Sequence, residues 1–198
     1  IVSLTALGFA IAALQLFHSA KDIAGNSLWR TGHYALTMEW SWIGDPELLP
    51  SIALNYSVGV DGISIWLVLL TALICPLAIW ASSSGIRERI KEYYILMLLL
   101  ETGLLGVFCV RDLLLFYIFF EFTLVPLYFI IGIWGGPEKR RAANRFFLYT
   151  LAGSMLTFAG ILYLAYQAYC SPLGRFTFDM EELYKVGRSM TMTTQMWL

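Results

Sequence analysis

The run from Leu113 to Trp134, LLLFYIFFEFTLVPLYFIIGIW, is apolar around its whole circumference and carries a single carboxylate, Glu121, near its middle. At ~1.5 Å per residue a helix of this length measures about 33 Å, enough to cross the roughly 30 Å hydrocarbon core of a bilayer. Residue 121 then lies near the midplane, where an ionised carboxylate costs at least a few kcal/mol. It must face other protein or water, hold a proton part of the time, or have a cation beside it. Intramembrane acids commonly mark ion pathways, which makes Glu121 the first candidate site residue; a glutamate that merely bonds a neighbouring helix is the plain alternative. Pro126 predicts a helix break near the site.

The rest of the chain agrees with a membrane setting. It is 59% hydrophobic and only 14% charged, against about a quarter charged in soluble domains. A formal net charge of −1 gives no reason to expect nucleic acid as a partner. Cys75, Cys109 and Cys170 fall in or beside apolar runs without metal-site or disulfide spacing, and nucleotide-binding and metalloenzyme motifs are absent from the sequence. The chain begins inside an apolar run and ends at Thr194 to Leu198, where another starts, so it reads as a piece of a longer polypeptide. No basic segment precedes the first run, which argues against a signal peptide.

Hydropathy predicts an all-α, polytopic transmembrane bundle of about five spans, at residues 1–17, 58–80, 93–110, 113–134 and 146–169. The whole of 1–198 forms one transmembrane domain, with a helical core over 58–170. Residues 19–57, punctuated by Gly25, Gly32, Pro46 and Pro50, read as an ordered extracytoplasmic loop containing a short hairpin. Its Trp29, Tyr34, Trp40 and Trp42 suit the headgroup level. Asp61 stands at the mouth of the second span as a cap, and Pro76 should bend that span's far end. Tyr149, Gly153, Leu156 and Gly160 make a stripe on the last span that would let another helix approach. Residues 171–194 form a surface segment in which Met180 to Tyr184 suggest a short amphipathic helix.

Several ordered motifs resemble one family. DGIS at Asp61 to Ser64, LLLETGLLGVF from Leu98 to Phe108, the long run ending in GIWGG at Gly136, and RFFLYTLAGS from Arg145 to Ser154 are similar to the subunit M or chain 4 family of NADH-quinone oxidoreductase, the proton-pumping respiratory complex I. The resemblance covers roughly residues 55–198. It implies the N-terminal part of a 14-helix antiporter-like subunit that moves protons while partner subunits carry electrons from NADH to quinone. Glu121 stands where the family has its channel carboxylate, and Glu101 matches a second, less general acidic position. The family's next helix bears a lysine that pairs with the first of these, and the present chain stops before it. No cofactor or metal is implied in this chain; flavin, iron-sulfur clusters, NADH and quinone belong to partner subunits. The implied partners are the other membrane-arm subunits and the lipid bilayer, in a bacterial plasma membrane or a mitochondrial inner membrane. The alternative function is that of a multi-subunit sodium/proton antiporter, which shares the fold and the glutamate.

Folding the chain back at Arg111-Asp112 brings Glu101 and Glu121 to matching depth, about 14 to 15 Å from one membrane surface. If both faces turn inward the two carboxyls titrate as a coupled unit; if not, Glu101 serves a different neighbour. The basic residues set the orientation. Arg87, Arg89, Lys91, Lys139, Arg140, Arg141 and Arg145 crowd two short connections, which places both on the cytoplasmic or matrix side. Single cysteines introduced at residues 87 and 140 are therefore expected to react with an impermeant thiol reagent from the same side of the membrane; labelling from opposite sides refutes the topology.

Overall fold

The computed structural model describes residues 2–19, 35–43, 52–190 and 194–195. Helix α1 covers Val2–Ser19, and strands β1 (Ala35–Ile43) and β2 (Ile52–Val60) follow. Next come α2 (Ser64–Ser82), α3 (Ile90–Cys109), α4 (Leu113–Trp134) and α5 (Lys139–Cys170), then the short β3 (Phe176–Thr177) and α6 (Met180–Ser189). Helices α2 to α5 are long and apolar enough to cross a membrane. Helix α1 is 18 residues long, about 27 Å, and packs through Ala10 on Val68 and Ala72 of α2.

The helices differ from expectation in three respects. The second span starts at Ser64, not Val58, because 58–60 belong to β2. Asp61 ends the strand by folding back on the helix mouth: its Oδ1 accepts from the Ser64 N–H at 2.6 Å and the Ile63 N–H at 3.2 Å. Burial acts to raise the Asp61 carboxyl, but these donors and the Ser64 hydroxyl outweigh it and leave it below its ordinary value. The last span begins at Lys139 and is 32 residues long, because Lys139, Arg140, Arg141, Ala142 and Ala143 are good helix formers. The connection before it shrinks to Gly135–Glu138. Lastly, α4 and α2 run unbroken through Pro126 and Pro76. Pro126 is therefore no helix break; it removes one N–H from the ladder and is itself fully buried.

The hairpin is present, β1 pairing antiparallel with β2, for example Glu39 with Ser57 and Trp40 with Tyr56. The rest of the expected loop, 20–34 and 44–51 with Trp29 and Tyr34, lies outside the described residues, as do the side chains of Trp40 and Trp42. Strand β2 also pairs in parallel with β3, through Ile52–Phe176 and Ala53–Thr177. The amphipathic helix α6 forms as expected and buries Leu183 and Val186 against Ala168 of α5.

The helices that pack extensively on one another are consecutive: α1 on α2, α2 on α3, α3 on α4, α4 on α5 and α5 on α6. Large apolar side chains are correspondingly left uncovered, Tyr149 and Leu156 at 81% and 77% exposure. The small-residue stripe on α5 has nothing within 4 Å of the Cβ position of Gly153. Close approach occurs instead on α3. A Cβ on Gly103 would lie 2.8 Å from Thr123 Cγ2, and one on Gly106 would penetrate the Phe119 ring.

The two ends of the row are tied separately. At one, Trp134 Nε1 donates to the Glu88 carbonyl at 2.8 Å, and the Trp134 ring meets Tyr93 edge-on at 5.2 Å. Lys139 Nζ donates to the Ile133 carbonyl at 2.6 Å, a cation at the negative end of α4. At the other end, Arg111 N–H donates to Ser57 O at 3.0 Å, Leu113 N–H to Phe178 O at 2.8 Å, and Met180 N–H to Arg111 O at 3.1 Å. Asp112 caps α4, accepting from Leu114 and Leu115 N–H at 2.9 and 3.0 Å.

Burial pushes the Asp112 carboxyl above its ordinary value despite these two donors, and Asp179 pushes it the same way. Asp112→Ala is expected to cost about 1–2 kcal/mol through loss of the cap. The upward shift has a definite sign: the group's contribution is complete below the ordinary carboxylate range and is lost as pH rises through its folded value. Asp112→Asn, which accepts without ionising, should flatten that slope. Thermal unfolding in detergent across acid to neutral pH checks both.

Candidate functional site

Glu121 lies on the face of α4 that meets α5. Tyr117, four residues earlier, and Tyr128, seven later, share its face on a helix that turns about 100° per residue. Both contact α5. The Tyr117 ring stacks on Phe158, with centroids 4.6 Å apart and planes at 22°, and the Tyr128 hydroxyl donates to Asn144 Oδ1 at 3.0 Å. The opposite face of α4, with Phe119, Phe122 and Thr123, receives Gly103 and Gly106 of α3. Glu121 is two residues, about 200°, from both Phe119 and Thr123, so its side chain points away from α3.

The surroundings of the carboxylate are mixed. Its Oε1 is buried and has no hydrogen-bond partner among the described residues. The Tyr117 side chain lies near both the Glu121 carboxylate and the Ser154 hydroxyl. Ser154, buried on α5, also donates to the Leu151 carbonyl at 3.0 Å. Pro126, the third sequence candidate, lies more than a turn beyond Glu121 and supplies packing.

Glu101 is 3% exposed, more thoroughly buried than Glu121. It is about 200° from Gly103 and about 140° from Gly106 around α3, hence on the side opposite α4. Cys75 of α2, also buried, lies within electrostatic reach of its carboxylate. The glycine contacts bring the two glutamates to within about a helical turn in depth, as the turn at 111–112 predicts. They do not bring them face to face: Glu101 occupies the α2/α3 contact and Glu121 the α4/α5 contact. Close helix packing through Gly103 and Gly106 sets the rotation and directs the two side chains apart.

Tyr117 and Ser154 were not among the sequence candidates. The signal for Tyr117 was its i−4 spacing from Glu121, which stacks two side chains on one helix face. Ser154 had only its place in the RFFLYTLAGS run. Among the described residues no three His, Cys, Asp or Glu side chains gather where a metal could bind.

The separation of the acids predicts independence. In the full-length protein the infrared carboxyl band of Glu121 should titrate alike with and without Glu101→Gln, and a moved midpoint would show coupling that this geometry does not provide.

Comparison with known proteins follows the same lines. Residues 4–107 match the family described as NADH-ubiquinone oxidoreductase chain 4, amino terminus, and residues 110–198 match the transmembrane family shared by NADH:quinone oxidoreductase and Mrp antiporters. The chain is similar to NADH-ubiquinone oxidoreductase chain 4 of Prototheca wickerhamii, 48% identical over 147 residues, which cover 74% of this chain and 27% of that protein. It is also similar to NADH-quinone oxidoreductase subunit M of Rhodobacter capsulatus, 53% identical over 105 residues, covering 53% of this chain and 20% of that one. Its fold matches a chain of respiratory complex I from Thermus thermophilus with a TM-score of 0.60 at 28% identity, over 92% of this chain and 34% of that chain. The chain thus spans about a quarter of the length of these curated relatives.

Proposed function

The chain belongs to the NADH-ubiquinone oxidoreductase chain 4 family, and on that premise we propose that the whole protein is a proton-translocating subunit in the membrane arm of NADH-quinone oxidoreductase. It is an integral membrane protein, built on helices that match that family in sequence and fold. In this reading it is a subunit of a translocase and holds no redox centre itself. Other subunits carry flavin and iron-sulfur clusters between NADH and quinone, and the neighbours of this chain are further membrane-arm subunits. The setting is a bacterial plasma membrane, with the mitochondrial inner membrane as the alternative, since relatives of both kinds match.

The observation that supports the role is the buried, unfilled Oε1 of Glu121 inside a membrane-spanning helix contact. The ionised form of a carboxylate in such a contact depends on desolvation and on any cation that comes near. A lysine on the element that follows in the family would be such a cation, and its approach and withdrawal would alternate Glu121 between charged and protonated states. Glu101 provides a second proton-holding site in the α2/α3 contact. The sodium/proton antiporter reading is compatible with the family matched by residues 110–198, but the match of residues 4–107 to chain 4 favours the respiratory enzyme.

Glu121→Gln keeps volume and hydrogen bonding and removes the charge. In the full-length subunit within its complex it is expected to leave assembly intact and to reduce proton pumping strongly, measured as acidification coupled to NADH oxidation in membrane vesicles. Normal pumping by the assembled variant removes Glu121 from the mechanism, and full transport without any dehydrogenase subunits selects the antiporter.

A further inference from the structure

We propose that Tyr117 and Ser154 are positioning residues for Glu121, a hydroxyl pair that fixes where the carboxyl group sits in the α4/α5 contact and which way its proton faces. The inference rests on the reading of Glu121 as a proton-carrying residue, but the placement of the pair follows from how α4 packs on α5.

Side chains on a helix lean toward its N-terminus, so the Glu121 carboxylate is drawn down toward the level of Tyr117 on the same face. The Tyr117 ring is held by its stack on Phe158 at 4.6 Å, which restricts the path of the hydroxyl. Across the contact, α5 presents Ser154, a small residue that leaves room for the carboxyl group and is itself buried. The antiparallel register that sets Tyr117 against Phe158 and Tyr128 against Phe147 brings Ser154 level with Glu121, with Tyr117 close to both. Registers on either side agree with this placement: Tyr117 meets Phe158 below the site, and Tyr128 meets Asn144 and Phe147 above it.

Each hydroxyl can donate one hydrogen bond and accept others. While Glu121 is ionised, the Tyr117 O–H donates to the carboxylate, a charge-assisted bond of the stronger kind. When Glu121 takes up a proton, its own O–H can donate to the phenolic oxygen, and the Tyr117 O–H turns toward Ser154. Ser154 has a second acceptor at hand in the Leu151 carbonyl at 3.0 Å, so its proton can face either way. The pair thus offers a hydrogen-bonded arrangement to both protonation states without charge of its own, which suits a low-dielectric site where an unpaired polar group is costly. No atom changes owner in these steps except the proton delivered to or taken from Glu121.

The test uses the full-length subunit in its assembled complex, with the carboxyl band of Glu121 identified by its loss in Glu121→Gln. Tyr117→Phe preserves the ring stack and deletes only the hydroxyl. The band of protonated Glu121 is expected to move to higher wavenumber, and the pumping rate to fall about tenfold, the factor associated with one hydrogen bond to a charged group. Ser154→Ala should move the band in the same direction, and Ser154→Thr, which restores a hydroxyl, should return it; this pair decides the matter if Tyr117→Phe does not assemble. A band unmoved in Tyr117→Phe, or moved equally by Ser154→Ala and Ser154→Thr, overturns the inference. Normal pumping in Glu121→Gln refutes the functional reading instead, and a band shift in Tyr117→Phe would then still establish the placement.

Discussion

A turn between two membrane spans has to satisfy backbone polar groups that neither helix can reach, and here that requirement is met by chain from two other places. Residues 110–113 give or accept backbone hydrogen bonds with Ser57, Phe178 and Met180, while the Asp112 carboxylate takes the first free N–H groups of α4. Arg111 also pairs with Glu181 on α6 at 3.2 Å, with its own side chain only 11% exposed. One short connection therefore fixes the hairpin, the start of α4 and the docking of α6. The height of Glu121 above this turn is fixed with them, since the helix rises from a capped start.

Height alone does not determine what a buried acid can do; rotation about the helix axis does. That rotation is decided by Gly103 and Gly106, whose missing side chains admit Phe119, Phe122 and Thr123. An alanine at position 106 would meet the Phe119 ring at 2.4 Å, so the two helices cannot keep this contact with any larger residue. Packing of this kind depends on shape rather than polarity, as expected where lipid is as apolar as the side chains. A contact between two uncharged faces thereby assigns the charged ones to separate compartments of the row.

Much of this was legible in the residues. Runs such as 64–82 and 113–134 are too apolar to be anything but spans, and the asymmetry of Lys and Arg groups the connections that Trp134 and Glu88 join. The start of the last span was misplaced because Lys139, Arg140 and Arg141 were read as connection. Hydropathy reports where a helix leaves hydrocarbon, not where its hydrogen bonds begin, and the helix continues through these residues. The site was half legible. A lone glutamate in an apolar run announces itself, whereas its partners Tyr117 and Ser154 are ordinary residues whose importance lies in which helix faces which. The same limit hid the divergence of Glu101 and Glu121, because equal depth follows from counting and facing does not.

The order of the row bears on how the chain is built. Since each helix rests mainly on the one before it, a pair of spans can find its native contacts as soon as both have entered the bilayer, with little loop to close and little waiting for distant sequence. The parallel pairing of Ile52 with Phe176 departs from this rule. It cannot form until α5 has been synthesised and has returned the chain to the hairpin's side, so the small sheet is completed last, its third strand a clasp closed over helices already in place.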